Sequence, residues 1–345
     1  MKFRLLGSTG ISVSEISFGA GPVSGLLTGS DRDRQVAVIG RALSLGVNWF
    51  DTAAGYGSGK SESQLGEAFK ALKCDLSSVH IATKVRLSVD RQHDLRPLVT
   101  QSLAESLQRL QVGQVTLLQV HNSITPGRND EPTSLTPEDI LGPRGVLMAL
   151  QDLRDAGLVQ HFGLTGIGDA DSLRTVMQSG QFATIQAPFH LLNPTSLIEQ
   201  TEGFREPDYR GFLRDAHRLG MGLFAIRAYA AGALLCAPPS AHTMKTPFFP
   251  LALYERDLRR AKGLAGLLGS DQALRELALR FVLSQSEFAS VILGFGAPEH
   301  VDEALRLSDL PPLNLEERET AKMLIKELMS EEAREGLNGA ITSRP

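Results

Sequence analysis

Short apolar runs alternate along the chain with longer stretches in which apolar residues recur every three or four positions. The runs cover residues 16–20, 47–50, 79–84, 115–121, 161–165, 183–188, 222–226 and 290–293. Their length predicts strands, and the 3.6-residue period between them predicts helices near 32–45, 65–72, 94–110, 146–156, 170–179, 209–219 and 271–285. A last barrel helix starts near Glu299, and a further one near 316–330 precedes a polar tail at 331–345. Strict strand-helix alternation requires a parallel sheet with right-handed crossovers. Eight such units predict a single α/β domain over 1–330, a closed (β/α)8 TIM barrel, with an open doubly wound sheet as the alternative. In the barrel, the C-terminal ends of all strands meet at one site. Residues 2–6 and 11–15, around Gly7-Ser8-Thr9-Gly10, predict an N-terminal β-hairpin that plugs or covers one barrel end. Long connections at 122–145, after strand 4, and at 230–252, after strand 7, are expected on the active face.

The apolar run ending at Phe50 gives way to Asp51-Thr52-Ala53-Ala54-Gly55-Tyr56-Gly57-Ser58-Gly59. An acid and a tyrosine stand five residues apart among small residues, and the glycines permit a tight turn that brings Tyr56 back over the strand end. Ser61 with Gln64 predicts a capping-box start for the helix carrying Leu65, Ala68, Phe69 and Leu72.

With 345 residues, 42% of them hydrophobic, the chain can bury a large core. A net charge of −4 without a long basic run argues against nucleic acid as a partner. Cys74 and Cys236 lack disulfide-framework or metal-ligand spacing, so no metal is expected and a reducing interior suits the chain. No segment is apolar for the length a bilayer demands, which reads as a cytoplasmic protein without a membrane partner.

Chemistry concentrates at three successive strand ends. Asp51 closes one run, Lys84 the next and His121 the third, with Tyr56 in the loop after the first. A tyrosine ordinarily ionises near about 10, too high for easy proton transfer at neutral pH. An adjacent ammonium favours the phenolate, and a carboxylate paired to that ammonium holds it in place. A histidine on the same rim can orient a carbonyl oxygen, so the four suit carbonyl reduction or alcohol oxidation. Taken singly, an Asp–Lys pair is more often a structural ion pair, and each ring an ordinary rim residue. Their convergence is what points to catalysis.

The stretch from Phe50 through Gly57 to Ser61-Glu62 and Leu65-Gly66, with Thr83-Lys84 and Val120-His121-Asn122, resembles the aldo-keto reductase superfamily, and the Ala225-Ile226-Arg227 stretch of the seventh strand looks more like its sugar-dehydrogenase-like branch than like the common aldose reductases. The resemblance implies a catalytic tetrad of Tyr56, Lys84, Asp51 and His121 and a nicotinamide cofactor extended across the barrel mouth. It also implies cofactor contacts at Gly19, Asp51, Thr165, Gly166, Gln186, Arg227, Ala228, Tyr229, Gly294, Gly296, His300 and Glu303. Thr165-Gly166 stands where the family has Ser-Asn, so one carboxamide ligand is lost, while Gln186 is kept. Ile226 replaces an aromatic that stacks on the nicotinamide, and Arg227 is suited to the pyrophosphate or to a structural ion pair. Gly294 and His300 replace the Lys and Arg that hold the 2′-phosphate of NADP, so NAD is expected in preference to NADP. His300 reads more readily as a solvated helix-start residue than as a phosphate ligand.

For the substrate, expected to be a small carbonyl or sugar-like molecule, the pocket residues are Tyr56, His121, Arg86 and Asn122. Arg86 suits an anion or sugar hydroxyls. Two rival functions remain at this stage, a non-catalytic nicotinamide-nucleotide-sensing subunit and a Schiff-base aldolase using Lys84.

Overall fold

The structure is a computed structural model describing residues 1–88, 94–199, 207–247 and 249–342, with side chains described through residue 328. Strands β1 (Phe3–Leu5) and β2 (Ser12–Ser14) pair antiparallel as the expected hairpin. Eight parallel strands follow: β3 (Ile16–Gly19), β4 (Trp49–Asp51), β5 (His80–Val85), β6 (Val115–Val120), β7 (Val159–Thr165), β8 (Thr184–Pro188), β9 (Gly222–Ile226) and β10 (Phe288–Gly294). They close in sequence order, β10 pairing with β3 through Val291–Ile16 and Leu293–Phe18, so the fold is the (β/α)8 barrel and not an open sheet.

Side chains alternate across each strand, so one parity faces the barrel axis and the other faces the helices. Trp49, Ala82, Leu117, Phe224 and Ile292, from five strands, form an inner apolar cluster together with Leu6 and Val13 of the hairpin. The hairpin therefore closes the N-terminal end of the barrel. Arg4 fixes it there by donating to the carbonyls of Leu283 at 2.9 Å and Phe288 at 2.8 Å, while also pairing with Glu15. Residues of the opposite parity, among them Phe18, Phe50, Leu118 and Ile185, face the helices in a larger apolar cluster.

Three local expectations are corrected. The helix after β4 spans Lys60–Ala71 with Gly59 at its N-cap and no side-chain cap. At φ 88°, Gly59 turns the chain into the helix before Ser61, whose hydroxyl donates instead to the Ala20 carbonyl at 2.8 Å. Glu62, also buried, accepts from Thr83 at 2.5 Å and Arg109 at 2.7 Å, tying this helix to β5 and to the helix Arg96–Leu110. The connection at 122–145 holds a short helix, Pro137–Leu141, and the capping box occurs here, between Thr136 and Asp139.

The second long connection ends in an unforeseen helix, Leu251–Leu268, which buries Tyr254, Ala261 and Leu264. Its apolar stripe is interrupted by Asp257 and Arg260, both buried, and that masks the period in the sequence. The terminal helix, Leu315–Thr342, continues through the stretch expected as a polar tail. Phe248 of the second connection and residues 343–345 of that tail lie outside the described residues. Among the described residues, no helix is long and apolar enough to cross a membrane.

Because Leu6 is fully buried in the inner cluster, Leu6→Ala is expected to destabilise the barrel by about 2–5 kcal/mol. Urea unfolding followed by tryptophan fluorescence checks this. A midpoint equal to that of the wild type would mean that the hairpin is not part of the cooperative core.

Candidate active site

Asp51 and Lys84 follow Trp49 and Ala82 at the same parity, so both side chains enter the barrel just below its C-terminal rim. Both are buried and form a direct ion pair. The Lys84 ammonium also donates to the Thr52 carbonyl at 2.8 Å and reaches the Tyr56 hydroxyl at 3.4 Å. Tyr56 is held above the pair by the turn after β4, in which its N–H donates to the Ala53 carbonyl at 3.1 Å. Its ring meets that of His121 edge-on, with centroids 5.5 Å apart. The structure thus brings the four expected tetrad residues together.

The electrostatics follow from this burial. Burial pushes the Asp51 carboxyl up, opposed by Lys84 and by a hydrogen bond from Gln119. Burial pulls Lys84 down, but the Asp51 carboxylate and Tyr56 outweigh it and hold the ammonium above its ordinary range. The two directions compete over one proton, and the three hydrogen-bonding partners around the pair, Thr52, Tyr56 and Gln119, favour the ionised form, so Lys84 stays protonated. Burial, then the charges of Lys84 and Arg86, holds His121 well below the usual imidazole range and hence neutral near pH 7. A protonated, fully buried Lys84 is no nucleophile, and this removes the basis of the Schiff-base aldolase reading.

Gln119 was missed in the sequence. Its amide donates to the second oxygen of Asp51 at 3.0 Å and so fixes the carboxylate that fixes Lys84. The available signal was parity: Gln119 stands two before His121, a polar residue on the inward face of an apolar strand.

Arg86 is half-buried, and burial pulls its guanidinium down while Tyr56 pushes it up. Asn122, expected in the substrate pocket, follows His121. Its amide is fully buried, accepts from the Leu87 N–H at 2.9 Å and donates to the carbonyls of Leu87 at 2.7 Å and Thr133 at 2.6 Å. It joins the loops after β5 and β6.

Thr165 and Gln186 end adjacent strands, with the Gln186 amide 3.4 Å from the Thr165 hydroxyl. The Gln186 carbonyl oxygen is buried with no hydrogen-bond partner, an acceptor suited to a carboxamide N–H. At Gly166, a Cβ would lie 2.7 Å from the Phe212 ring, so the helix Phe212–Arg218 excludes the family's asparagine. Gly19 pairs with Gly294 across the β3–β10 seam, and a Cβ at Gly19 would crowd Ile292 at 2.9 Å. Ala228 is buried, and burial pushes the half-buried Tyr229 hydroxyl up.

Beyond β10, the Gly296 N–H donates to His300 at 3.2 Å, so this imidazole braces its own loop. Glu303 faces Arg275 at 3.8 Å. A cation overlooked in the sequence lies beside this loop: Arg34, from the helix Arg32–Ser44, donates to the Gly296 carbonyl at 2.5 Å. Arg227, just past β9, has φ 59° and lays its guanidinium over the Phe249 ring at 4.7 Å.

Residues 15–326 match the family model described as Aldo/keto reductase family. The chain is 29% identical over 310 residues to L-galactose dehydrogenase of Arabidopsis thaliana, covering 88% of this chain and 86% of that one. An aldo-keto reductase of Bacillus halodurans, solved in its holo form, superposes with a TM-score of 0.70 at 20% identity, over 94% of this chain and 96% of that one. A glycerol dehydrogenase of Gluconobacter oxydans gives a TM-score of 0.68 at 22% identity, over 94% and 95%. With the family match spanning nearly the whole barrel, the chain belongs to the aldo/keto reductase family and is an oxidoreductase acting on carbonyl or alcohol groups.

Proposed function

We propose that the chain transfers hydride between a nicotinamide cofactor and a carbonyl or alcohol carbon, with Tyr56 as general acid and base. The observation that carries this reading is the contact of the Tyr56 hydroxyl with an ammonium whose charge is held by a buried carboxylate. In reduction, the Tyr56 hydroxyl gives its proton to the carbonyl oxygen. Lys84 steadies the negative charge left on the phenolic oxygen, and Asp51, oriented by Gln119, steadies Lys84. His121, uncharged, hydrogen-bonds the same oxygen and orients it. In alcohol oxidation the proton returns to Tyr56 by the same path.

The residues at the mouth fit a nicotinamide. The unpartnered Gln186 oxygen with Thr165 would take the carboxamide, and the glycines at 19, 294 and 296 would admit the backbone close to the rest of the cofactor. When bound, the cofactor supplies or accepts the hydride. For the 2′ position we favour NAD, because neither Gly294 nor His300 offers a fixed cation. Any use of NADP would then depend on Arg34. The substrate class is a small polar or sugar-like carbonyl, and the site of action is the cytoplasm.

Tyr56→Phe is expected to lower kcat/KM for aldehyde reduction about 10³-fold while NADH still binds, since only the proton donor is lost. Steady-state rates combined with a cofactor-fluorescence titration test this. Retained activity would remove Tyr56 from the chemistry, and in the wild type NADH binding without turnover of any carbonyl would favour a nucleotide-sensing subunit.

NADH is expected to bind at least as tightly as NADPH, and Arg34→Ala to weaken NADPH about tenfold more than NADH. Competitive titrations of both cofactors read that ratio. A strong NADPH preference that survives Arg34→Ala would contradict the assignment.

A further inference from the structure

Arg227 sits just beyond β9 at φ 59°, a left-handed conformation that residues with side chains adopt at a cost, and Ala230 and Ala231 of the same turn share it. Strained backbone of this kind persists where the surrounding structure fixes it, typically at a binding site. The turn delivers a half-buried guanidinium to the barrel mouth and sets it over the Phe249 ring, 4.7 Å from the centroid. Stacking occupies the face of a guanidinium and leaves its in-plane N–H fork for a ligand.

Among the described residues, no carboxylate pairs with this cation. The groups that act on it are the Tyr209 and Tyr56 hydroxyls, and burial lowers its pKa. His190 lies on the same side. It is 6% exposed, its Nδ1 has no hydrogen-bond partner, and burial together with Arg227 holds its pKa down to about 3. His242 is depressed by burial and by the same guanidinium. A half-buried guanidinium with no carboxylate paired to it is stabilised when an anion joins it, and the geometry best matched to an arginine fork is a carboxylate.

We infer that Arg227, stacked on Phe249 and flanked by His190 and Tyr209, grips a carboxylate on the substrate, so that the preferred substrates are carbonyl compounds bearing a carboxylate. This rests on the proposed chemistry at Tyr56. Balance is that of the parent reaction. Hydride forms the new C–H bond at the carbonyl carbon, the Tyr56 proton goes to its oxygen, NADH is oxidised, and the carboxylate passes through unchanged.

The test compares succinate semialdehyde with butanal, and glyoxylate with glycolaldehyde, in the wild type, Arg227→Gln and Arg227→Lys, alongside NADH titrations. The wild type is expected to show a lower KM for the carboxylate member of each pair, and succinate, but not succinamide, is expected to compete with the aldehyde. Arg227→Gln should raise KM about 30-fold more for the carboxylate member than for the neutral one, with Arg227→Lys recovering part of the loss. The NADH dissociation constant should move by less than about threefold.

Equal effects on both members, or a large loss of NADH affinity, would overturn the inference, the latter by placing the guanidinium on the cofactor's phosphates. Turnover of the neutral aldehydes with no carboxylate preference in the wild type also overturns it, while leaving the Tyr56 chemistry standing. NADH binding with turnover of neither member would count against that chemistry instead. Calorimetric titration of succinate into NADH-bound wild type and Arg227→Gln would then decide the inference, with equal affinities overturning it.

Discussion

The site depends on an ion pair placed where it is expensive. Lys84 and Asp51 lie inside the barrel, away from water, and each charge loses roughly several kcal/mol of hydration there. A pair of apolar residues of similar volume would serve the fold as well or better. What the pair provides is a fixed positive charge beside the Tyr56 hydroxyl. The surroundings are built to keep it. Thr52 takes one Lys84 hydrogen bond through its carbonyl, and Gln119 binds the free oxygen of Asp51, so neither partner can swing toward solvent.

The barrel makes this placement possible. Closure brings the ends of β4, β5 and β6 side by side, and the alternation along each strand turns Asp51, Lys84 and Gln119 inward together. The hairpin closes the opposite end with Leu6 and Val13, which leaves one accessible mouth. Packing also limits the chemistry there. Phe212 comes so close to Gly166 that a side chain there would meet its ring, while Thr165 and Gln186 stand side by side at the adjacent strand ends.

Much of this was legible in the sequence, because the barrel and the tetrad are both written in period and position. Asp51, Lys84 and His121 each stop an apolar run, and in a closed parallel barrel that alone makes them neighbours. What escaped was set by tertiary contact. Gly59 displaced the expected cap at Ser61, since a glycine's backbone freedom outweighed a side-chain hydrogen bond already claimed by Ala20. Asn122 sits beside His121 in sequence, yet its amide faces Leu87 and Thr133. Arg34 and Phe249 come from elements remote from the residues they meet, and no local pattern announces a partner more than 200 residues away in the case of Gly296. The buried Asp257 and Arg260 interrupt the apolar stripe of the helix Leu251–Leu268, which the period alone left unassigned.

The central claim is that the barrel mouth moves hydride while Tyr56 moves a proton. The most direct measurement is isotope tracing with NADH deuterated at the transferable position, analysed by mass spectrometry of the alcohol formed from glycolaldehyde or glyoxylate. The account predicts one deuterium bound to the former carbonyl carbon in the wild type, and little labelled product from Tyr56→Phe in the same time. Tight NADH binding without any transfer of label to either substrate would contradict it and leave a barrel that binds the nucleotide without using it.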